Sequence, residues 1–343
     1  MAGVTIKTIE KKEVWENFLR GRGDASFLQS WYWGEFEKEL GKRIARVGFY
    51  QGGRLSGVML AIVEDARRGR HLVVPAGPVI NWKDKGLVLA FVNTARRIAK
   101  DYSCTFVRVR PQLLANEFSR QTFVGLGFKA APMHLHAQLT HQLDITKSKE
   151  ELLSSMRKST RYEIRKAINL GIEVEKSFDP DDIDSFYNLQ LETARRQGFV
   201  PFSREFLQKQ FEIFAKEGLA CLFTAKYKQE VLNQAFVIFY GREAVYHYGA
   251  SSPAGREYPG AFIVQWEAIC EAKRRGLGIY NFWGVAPLDK KSHRFYNLSI
   301  FKRGFGGVDV EYLPAQDLII DRKRYLVNFL VETVRKKFRG LDR

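Results

Sequence analysis

The residues of this chain most able to do chemistry are basic. Between Arg157 and Lys166, five cationic side chains stand against one acid. Arg157, Arg161 and Arg165 recur every four positions, which on a helix puts their guanidinium groups on one stripe. Like charges at that spacing cost about 0.2–0.5 kcal/mol per pair, so the stripe is either a solvated face or one that an anion offsets. The excess runs through the whole chain, with 55 basic and 38 acidic side chains and a net charge of +17. Such a field favours polyanions: nucleic acid, a phosphorylated small molecule or an anionic membrane surface. Metal and thiol chemistry have less to work with. Cys104, Cys221 and Cys270 are far apart in apolar runs without CxxC spacing and read as buried free thiols. The six histidines show no HExxH, and His134 and His136 alternate as on a strand and make a weak pair. No metal or cofactor is expected. Tyr246 and Tyr248 also alternate, which on a strand would point them the same way.

These residues sit in a pattern that occurs twice. In the first half, Arg43–Tyr50 and Leu55–Val63 read as strands around the turn Gln51-Gly52-Gly53-Arg54. A strand near His71–Val74, a helix over Lys85–Lys100 and a buried strand over Cys104–Arg110, ended by Pro111, follow. In the second half, Leu219–Tyr227, Glu230–Tyr240 and Glu243–Ala250 read as strands. Ala261–Arg275 is helical, Gly276 and Gly278 end it, and Ile279–Trp283 is the next strand. A strand meander followed by helix and strand, given twice, predicts a duplicated α+β domain. Leu152–Leu170, carrying the basic stripe, is predicted as one helix between the halves, with Ser148 as cap and Glu151 completing the capping box.

The length of 343 residues suits two domains of about 150 residues each. No run approaches the ~20 apolar residues of a membrane span. Met1–Glu13 is charged and lacks the apolar stretch of a signal peptide, so a cytoplasmic protein is expected.

Six segments, in order, resemble the Fem aminoacyltransferases. They are Phe27-Leu28-Gln29-Ser30-Trp31-Tyr32-Trp33-Gly34-Glu35-Phe36, Arg157–Ala167, Tyr246-His247-Tyr248-Gly249-Ala250-Ser251, Gln265-Trp266-Glu267-Ala268, Tyr280-Asn281-Phe282-Trp283-Gly284-Val285 and Phe301-Lys302-Arg303-Gly304-Phe305-Gly306-Gly307. The resemblance runs from about Phe27 to Asp317. It implies two tandem GNAT-like domains, here 1–145 and 146–321, with the segment from 322 packing back on the first. It also implies transfer of an amino acid from aminoacyl-tRNA to the stem peptide of a peptidoglycan precursor, nucleotide-linked or lipid-linked. The phosphate-cradling loop of acetyl-CoA enzymes of that fold, R/Q-x-x-G-x-G/A, has no good counterpart. Arg256-Glu257-Tyr258-Pro259-Gly260-Ala261 comes nearest, with the wrong spacing and a proline in it.

Under that resemblance the reaction is attack of an amine on an activated ester. A lysine-like amine, pKa near ~10.4, must lose a proton, and negative charge develops on the ester oxygens. The family places a lysine at Lys302 facing the reacting ends, which implies a role in stabilising the oxyanion or the leaving ribose oxygen. Phe301 accompanies it, and Tyr246 and Tyr248 resemble tyrosines that contact the precursor. Trp33 is an anchoring core tryptophan or part of the same groove. Arg157 and Arg161 are candidates for precursor phosphate or the tRNA backbone. Arg335, Lys336, Lys337 and Arg339 would add salt-dependent RNA affinity. Three departures from the family pattern stand out. Arg110 precedes Pro111 where an acid is usual, Glu37 stands where a lysine is usual, and Phe202 stands where an arginine is usual, with Arg204 two residues on. Arg110 removes a candidate general base, while the other two stand where members using a nucleotide-linked precursor carry basic residues and so tilt the expected acceptor towards the lipid-linked precursor, with peripheral contact at the inner membrane face and a monomer as the default. The competing readings are an acyltransferase with another acceptor and a donor other than tRNA, and a basic RNA-binding adaptor without activity.

Overall fold

A computed structural model describes residues 3–66 and 69–338, the side chains of residues 197, 337 and 338 excepted. In chain order the elements begin with β1 (Val4–Thr8), α1 (Lys12–Leu19), α2 (Trp31–Glu39), β2 (Arg43–Gln51), β3 (Arg54–Ala66) and β4 (Gly69–Pro75). Then come α3 (Lys85–Asp101), β5 (Phe106–Arg110), α4 (Glu117–Gly125) and β6 (Lys129–Ala130). The next stretch holds β7 (Leu139–Asp144), α5 (Lys149–Ser155), α6 (Lys158–Asn169), β8 (Glu173–Ser177), α7 (Ile183–Gln197) and α8 (Arg204–Ala215). It continues with β9 (Ala220–Tyr227), β10 (Glu230–Tyr240), β11 (Glu243–Ser251), α9 (Gly260–Arg274), β12 (Ile279–Gly284), α10 (Tyr296–Arg303) and β13 (Val308–Glu311). The chain closes with β14 (Gln316–Ile319) and α11 (Arg322–Phe338).

These form two compact units, residues 1–138 with 311–343, and residues 139–310. Each has a seven-stranded sheet, in the orders β1-β2-β3-β4-β5-β14-β6 and β13-β7-β12-β11-β10-β9-β8. The duplication is therefore one of topology. Each sheet has an antiparallel meander, then a helix crossover that returns a strand parallel to the meander's last strand: β4 to β5 through α3, and β11 to β12 through α9. Each then gains one antiparallel strand from a distant stretch of chain, β14 beside β5 and β7 beside β12. β7, assigned from sequence to the end of the first domain, is a strand of the second sheet, because its backbone pairs with Ile279, Tyr280, Asn281 and Gly284.

Local chemistry explains the elements. The first hairpin turns on Gly52 and Gly53, both at positive φ, the primed turn that suits the twist of two antiparallel strands. The equivalent hairpin between β9 and β10 makes the same turn with Lys228 and Gln229, which pay a steric cost that glycine avoids. Residues 57–63 of β3 are buried without a break, as in a strand covered on both faces. In the second unit α6 and α9 cover one face of the sheet and α7 and α8 the other. The predicted helix over Leu152–Leu170 is two helices. Ser148 and Glu151 form the expected capping box on α5, and extended backbone at Met156 and Arg157 then separates it from α6. In the first unit, Arg108 forks onto Asp317 of β14 with two 2.8 Å bonds and reaches Glu332 of α11 at 2.8 Å.

Candidate active site

The site of interest follows from one property of the second sheet. β11 and β12 run parallel and pair over only three residues, Glu243↔Ile279, Ala244↔Tyr280 and Val245↔Asn281. Beyond them β11 stays with β10, while β12 stays with β7, where Gly284 pairs Thr140 after an irregularity in register. A cavity of about 380 Å³ adjoins this parting, lined among others by Phe202, Tyr246, Tyr248, Trp283, Phe301 and Lys302. In the first unit β4 and β5 pair over four residues as far as Pro75↔Arg110. There the buried Gln29 amide donates to the carbonyls of Pro75 (2.7 Å) and Leu60 (3.1 Å) and accepts from the Leu60 N–H (2.9 Å).

Lys302 lies on α10, not in a loop, and its side chain is buried. Its Nζ donates to the Gly284 carbonyl at 2.7 Å and stands 5.7 Å from the centre of the Tyr246 ring. It makes no ion pair among the described residues, and burial pushes its pKa down to about 7. An ammonium group held this way is short of counter-charge, and an anion arriving in the cavity would supply it.

The elements around Lys302 position it. Phe301 packs edge-on against Phe262 (5.0 Å) and Phe305 (5.3 Å). Arg303 is paired with Asp309 at 2.6 Å and donates to the Ala286 carbonyl at 2.6 Å. His141 lies 2.7 Å from Asp309 through Nδ1 and 2.6 Å from the Gly306 carbonyl through Nε2. Gly307, at φ +95°, passes so near the Gln142 carbonyl that a Cβ there would sit 2.3 Å from it. Arg157 contributes through its backbone, its N–H bonding the Gly304 carbonyl at 2.9 Å while its side chain is exposed.

The tyrosines differ from the simple alternation. Between Phe236 and Val237 the register of β10 with β11 shifts, so Tyr248 pairs Phe236, Tyr246 pairs Val237, and His247 is extra. This bulge brings the His247 and Tyr248 rings onto Phe236 together, at 6.0 and 5.6 Å, with 4.0 Å between their own centres. Tyr246 packs instead with the hydrophobic core that contains Val237, and burial raises its pKa to about 12. Both still line the cavity. Gly249 is required by Tyr246, since a Cβ at Gly249 would fall 1.7 Å from the Tyr246 hydroxyl.

Two cavity residues escaped sequence reasoning. His247 is hydrogen-bonded to Gln210 at 3.1 Å, and burial pushes its pKa down to about 3, so it is neutral at pH 7. Trp283 holds φ at +63°, unusual for so bulky a residue, with its N–H on the Asn281 side chain at 2.9 Å. Both stand inside segments that resemble the Fem family, but what singles them out is the bulge and the positive φ, and neither can be read from residue types and spacing.

Other expected site residues are elsewhere. Trp33 is in the first unit, buried edge-on against Phe27 (5.6 Å) and Phe36 (5.1 Å). Arg161 donates through Nη1 to the Ser154 and Met156 carbonyls, at 2.7 Å each, closing the end of α5. Arg204 is exposed on α8 and forks onto Asp184 at 2.5 and 2.6 Å, outside the cavity lining. Glu37 is buried with its pKa pushed up by that burial, and it pairs with Lys42 at 2.8 Å. Arg110 donates to His136 and to Gln112 (3.0 Å) and lies 5.0 Å from the Tyr312 ring centre. Arg339 and the Lys337 side chain fall outside the described residues. The thiols of Cys104, Cys221 and Cys270 are pushed up to about 11, 12 and 11 by burial, which makes them poor nucleophiles.

Comparison with known proteins bears on the fold and the family. The chain is 21% identical to the lipid II:glycine glycyltransferase of Staphylococcus aureus, over 93% of each protein. The crystal structure of FemX superposes with a TM-score of 0.86 at 20% identity, covering 94% of this chain and 99% of that one. A tandem GNAT protein from the clavulanic acid biosynthesis pathway superposes with a TM-score of 0.58 at 12% identity, covering 92% and 98%. These likenesses establish the fold as two tandem GNAT-like domains. A model of the FemAB family matches residues 9–228 and 218–332, and the chain belongs to that family.

Proposed function

We propose that this protein is an aminoacyltransferase that moves an amino acid from aminoacyl-tRNA onto the stem-peptide amine of a lipid-linked peptidoglycan precursor. The observation that carries the reading is Lys302, a buried amine without a carboxylate partner among the described residues, at the wall of the cavity where β11 and β12 part. Family membership and the name of the staphylococcal relative, a glycyltransferase acting on lipid II, support the reaction class and the acceptor. The net charge of +17 supports a polyanionic donor.

In this mechanism the neutral acceptor amine attacks the ester carbonyl. A C–N bond forms, the C–O bond to the ribose breaks, and the proton lost by the amine ends on the ribose oxygen. Protonated Lys302 faces the oxygen on which charge gathers and stabilises it more in the transition state than in the resting ester. Tyr246 and Phe301 hold the ammonium group in place and exclude water. Tyr248, Trp283 and Phe202 give the acyl group and acceptor an aromatic wall. The protein works at the inner face of the membrane without spanning it; among the described residues no helix is long and apolar enough to cross one.

The test is incubation of the purified chain with a mixed aminoacyl-tRNA pool and either the lipid-linked or the nucleotide-linked precursor, followed by mass measurement. A mass increase of one or more amino acids on the lipid-linked precursor, abolished by ribonuclease and reduced at least about a hundredfold in Lys302→Met, is expected. Transfer from an acyl-CoA instead, or near-normal turnover in Lys302→Met, would overturn the donor or the role of the lysine respectively.

A further inference from the structure

The last helix, α11, has two faces with different chemistry. Its inner face carries Tyr325 and Asn328, both buried, and Glu332, which is turned to Arg108 at 2.8 Å. Tyr325 also donates to Asp317 at 3.0 Å and packs edge-on against Phe106 at 5.4 Å. This face needs no further partner. The outer face carries Leu326, Val327, Leu330 and Val334, which are 58, 57, 56 and 50% exposed. Leu326, Leu330 and Val334 follow the i, i+4, i+8 spacing, with Val327 beside them, so the four make one continuous apolar stripe. Single exposed aliphatic side chains need no explanation, but four side by side on one helix do.

The stripe is bracketed by cations. Arg322, Lys323 and Arg324 are exposed at one end of the helix, with Arg324 3.7 Å from Asp321, and Arg335 is exposed at the other. The only acid within the helix is Glu332, already engaged by Arg108. An apolar stripe flanked by basic residues on a helix too short and too charged to span a bilayer suits the plane of an anionic membrane, with the aliphatic side chains below the headgroups and the cations among them.

We propose that α11 docks this protein onto an anionic lipid surface through Leu326, Val327, Leu330 and Val334, with Lys323 and its neighbours on the headgroup phosphates. Charge decides between this occupant and a second copy of the chain. Pairing two such helices would press the same cations together on molecules that each carry +17. A nucleic acid would meet the cations but offers no aliphatic layer for the leucines. The proposal deepens the lipid-linked reading and rests on it for its purpose, since it brings the enzyme to the layer that holds such an acceptor.

The experiment is flotation of the full chain with vesicles of phosphatidylcholine, alone or mixed with phosphatidylglycerol, and with no acceptor present. The protein should float with the anionic vesicles, weakly with the neutral ones, and less as salt is raised. Leu326→Gln with Leu330→Gln should lower partitioning at least about tenfold, and Lys323→Glu about fivefold or more. Because these side chains are exposed, unchanged thermal unfolding should accompany both variants. In transfer assays the leucine pair should slow reaction with the lipid-linked acceptor in vesicles, while reaction with the same acceptor on a shortened, water-dispersed chain is unchanged. Absence of flotation by the wild type, equal flotation by the variants, a leucine-dependent dimer without flotation, or loss of tRNA binding alone would overturn the proposal. If the α11 variants lose flotation but no muramyl acceptor reacts with the wild type, docking stands and the proposed reaction falls.

Discussion

Lys302 sets what can be measured first. Burial holds its pKa down at about 7. If the protonated lysine is the working form, kcat/KM rises with pH below about 7 as more acceptor amine is neutral. It then levels between about 7 and ~10.4, because each gain in free amine is matched by a loss of charged lysine. Lys302→Arg, charged throughout, should keep rising over that range, though at a lower rate. A wild-type profile that steepens below pH 7 and still climbs above it would instead make Lys302 a base. The same burial affects stability. The unfolded state binds a proton that the folded lysine gives up between about pH 7 and 10.5, so this group's contribution to stability improves as pH rises through that window. Lys302→Met should therefore raise the melting temperature at pH 7, and the gain should vanish above about pH 10.5. Gly249→Ala should act in the opposite sense on stability and in the same sense on activity: by displacing the Tyr246 hydroxyl it lowers stability by ~1–3 kcal/mol and slows transfer, as denaturant titration and the mass assay would show.

Much of the architecture was legible from hydrophobic periodicity, and the reasons for what was not are physical. The meander strands and the two crossover helices read from sequence lie within three residues of their expected ends, because buried strands and amphipathic helices have strong patterns, whereas the more exposed β1 and β8 were not read. α10 was not legible, since Tyr296–Arg303 is short and its buried lysine reads as a surface residue. The break between α5 and α6 was hidden because Arg157 and Arg161 continue the helical spacing across it. Arg161 has a structural duty that its spacing did not announce, since its Nη1 donates to two backbone carbonyls at the end of α5. Arg161→Ala should accordingly cost ~1–2 kcal/mol of stability in urea unfolding, with tRNA affinity little changed. Gly307→Ala should cost ~1–3 kcal/mol or more, because its positive φ and the nearby Gln142 carbonyl leave no room for a methyl group.

Family membership was legible through six ordered segments, none persuasive alone, while the three departures from the family pattern have separate structural answers. Glu37 is a buried partner of Lys42, Arg110 is tied to His136 and Gln112, and Phe202 is part of the aromatic wall. The first unit depends on the far end of the chain through Arg108. Burial opposes its charge, and the bonds to Asp317 and Glu332 more than offset that and hold its pKa above the usual value. Asp317→Asn should cost ~3–5 kcal/mol, read as a lower unfolding midpoint of the first unit, since it leaves a buried cation short of a partner. The placement of β14 also sets an order of events during synthesis. Residues 139–310 are contiguous and can close once they have left the ribosome, but β5 must wait for a strand made almost at the end. At about 5–20 residues per second, some 10–40 s separate the making of the first unit's early part from the arrival of β14 and α11. During that interval the nascent chain carries an open sheet edge and an Arg108 without Asp317, so a chaperone that binds unpaired strand edges should hold chains stopped before residue 311 longer than chains that include α11.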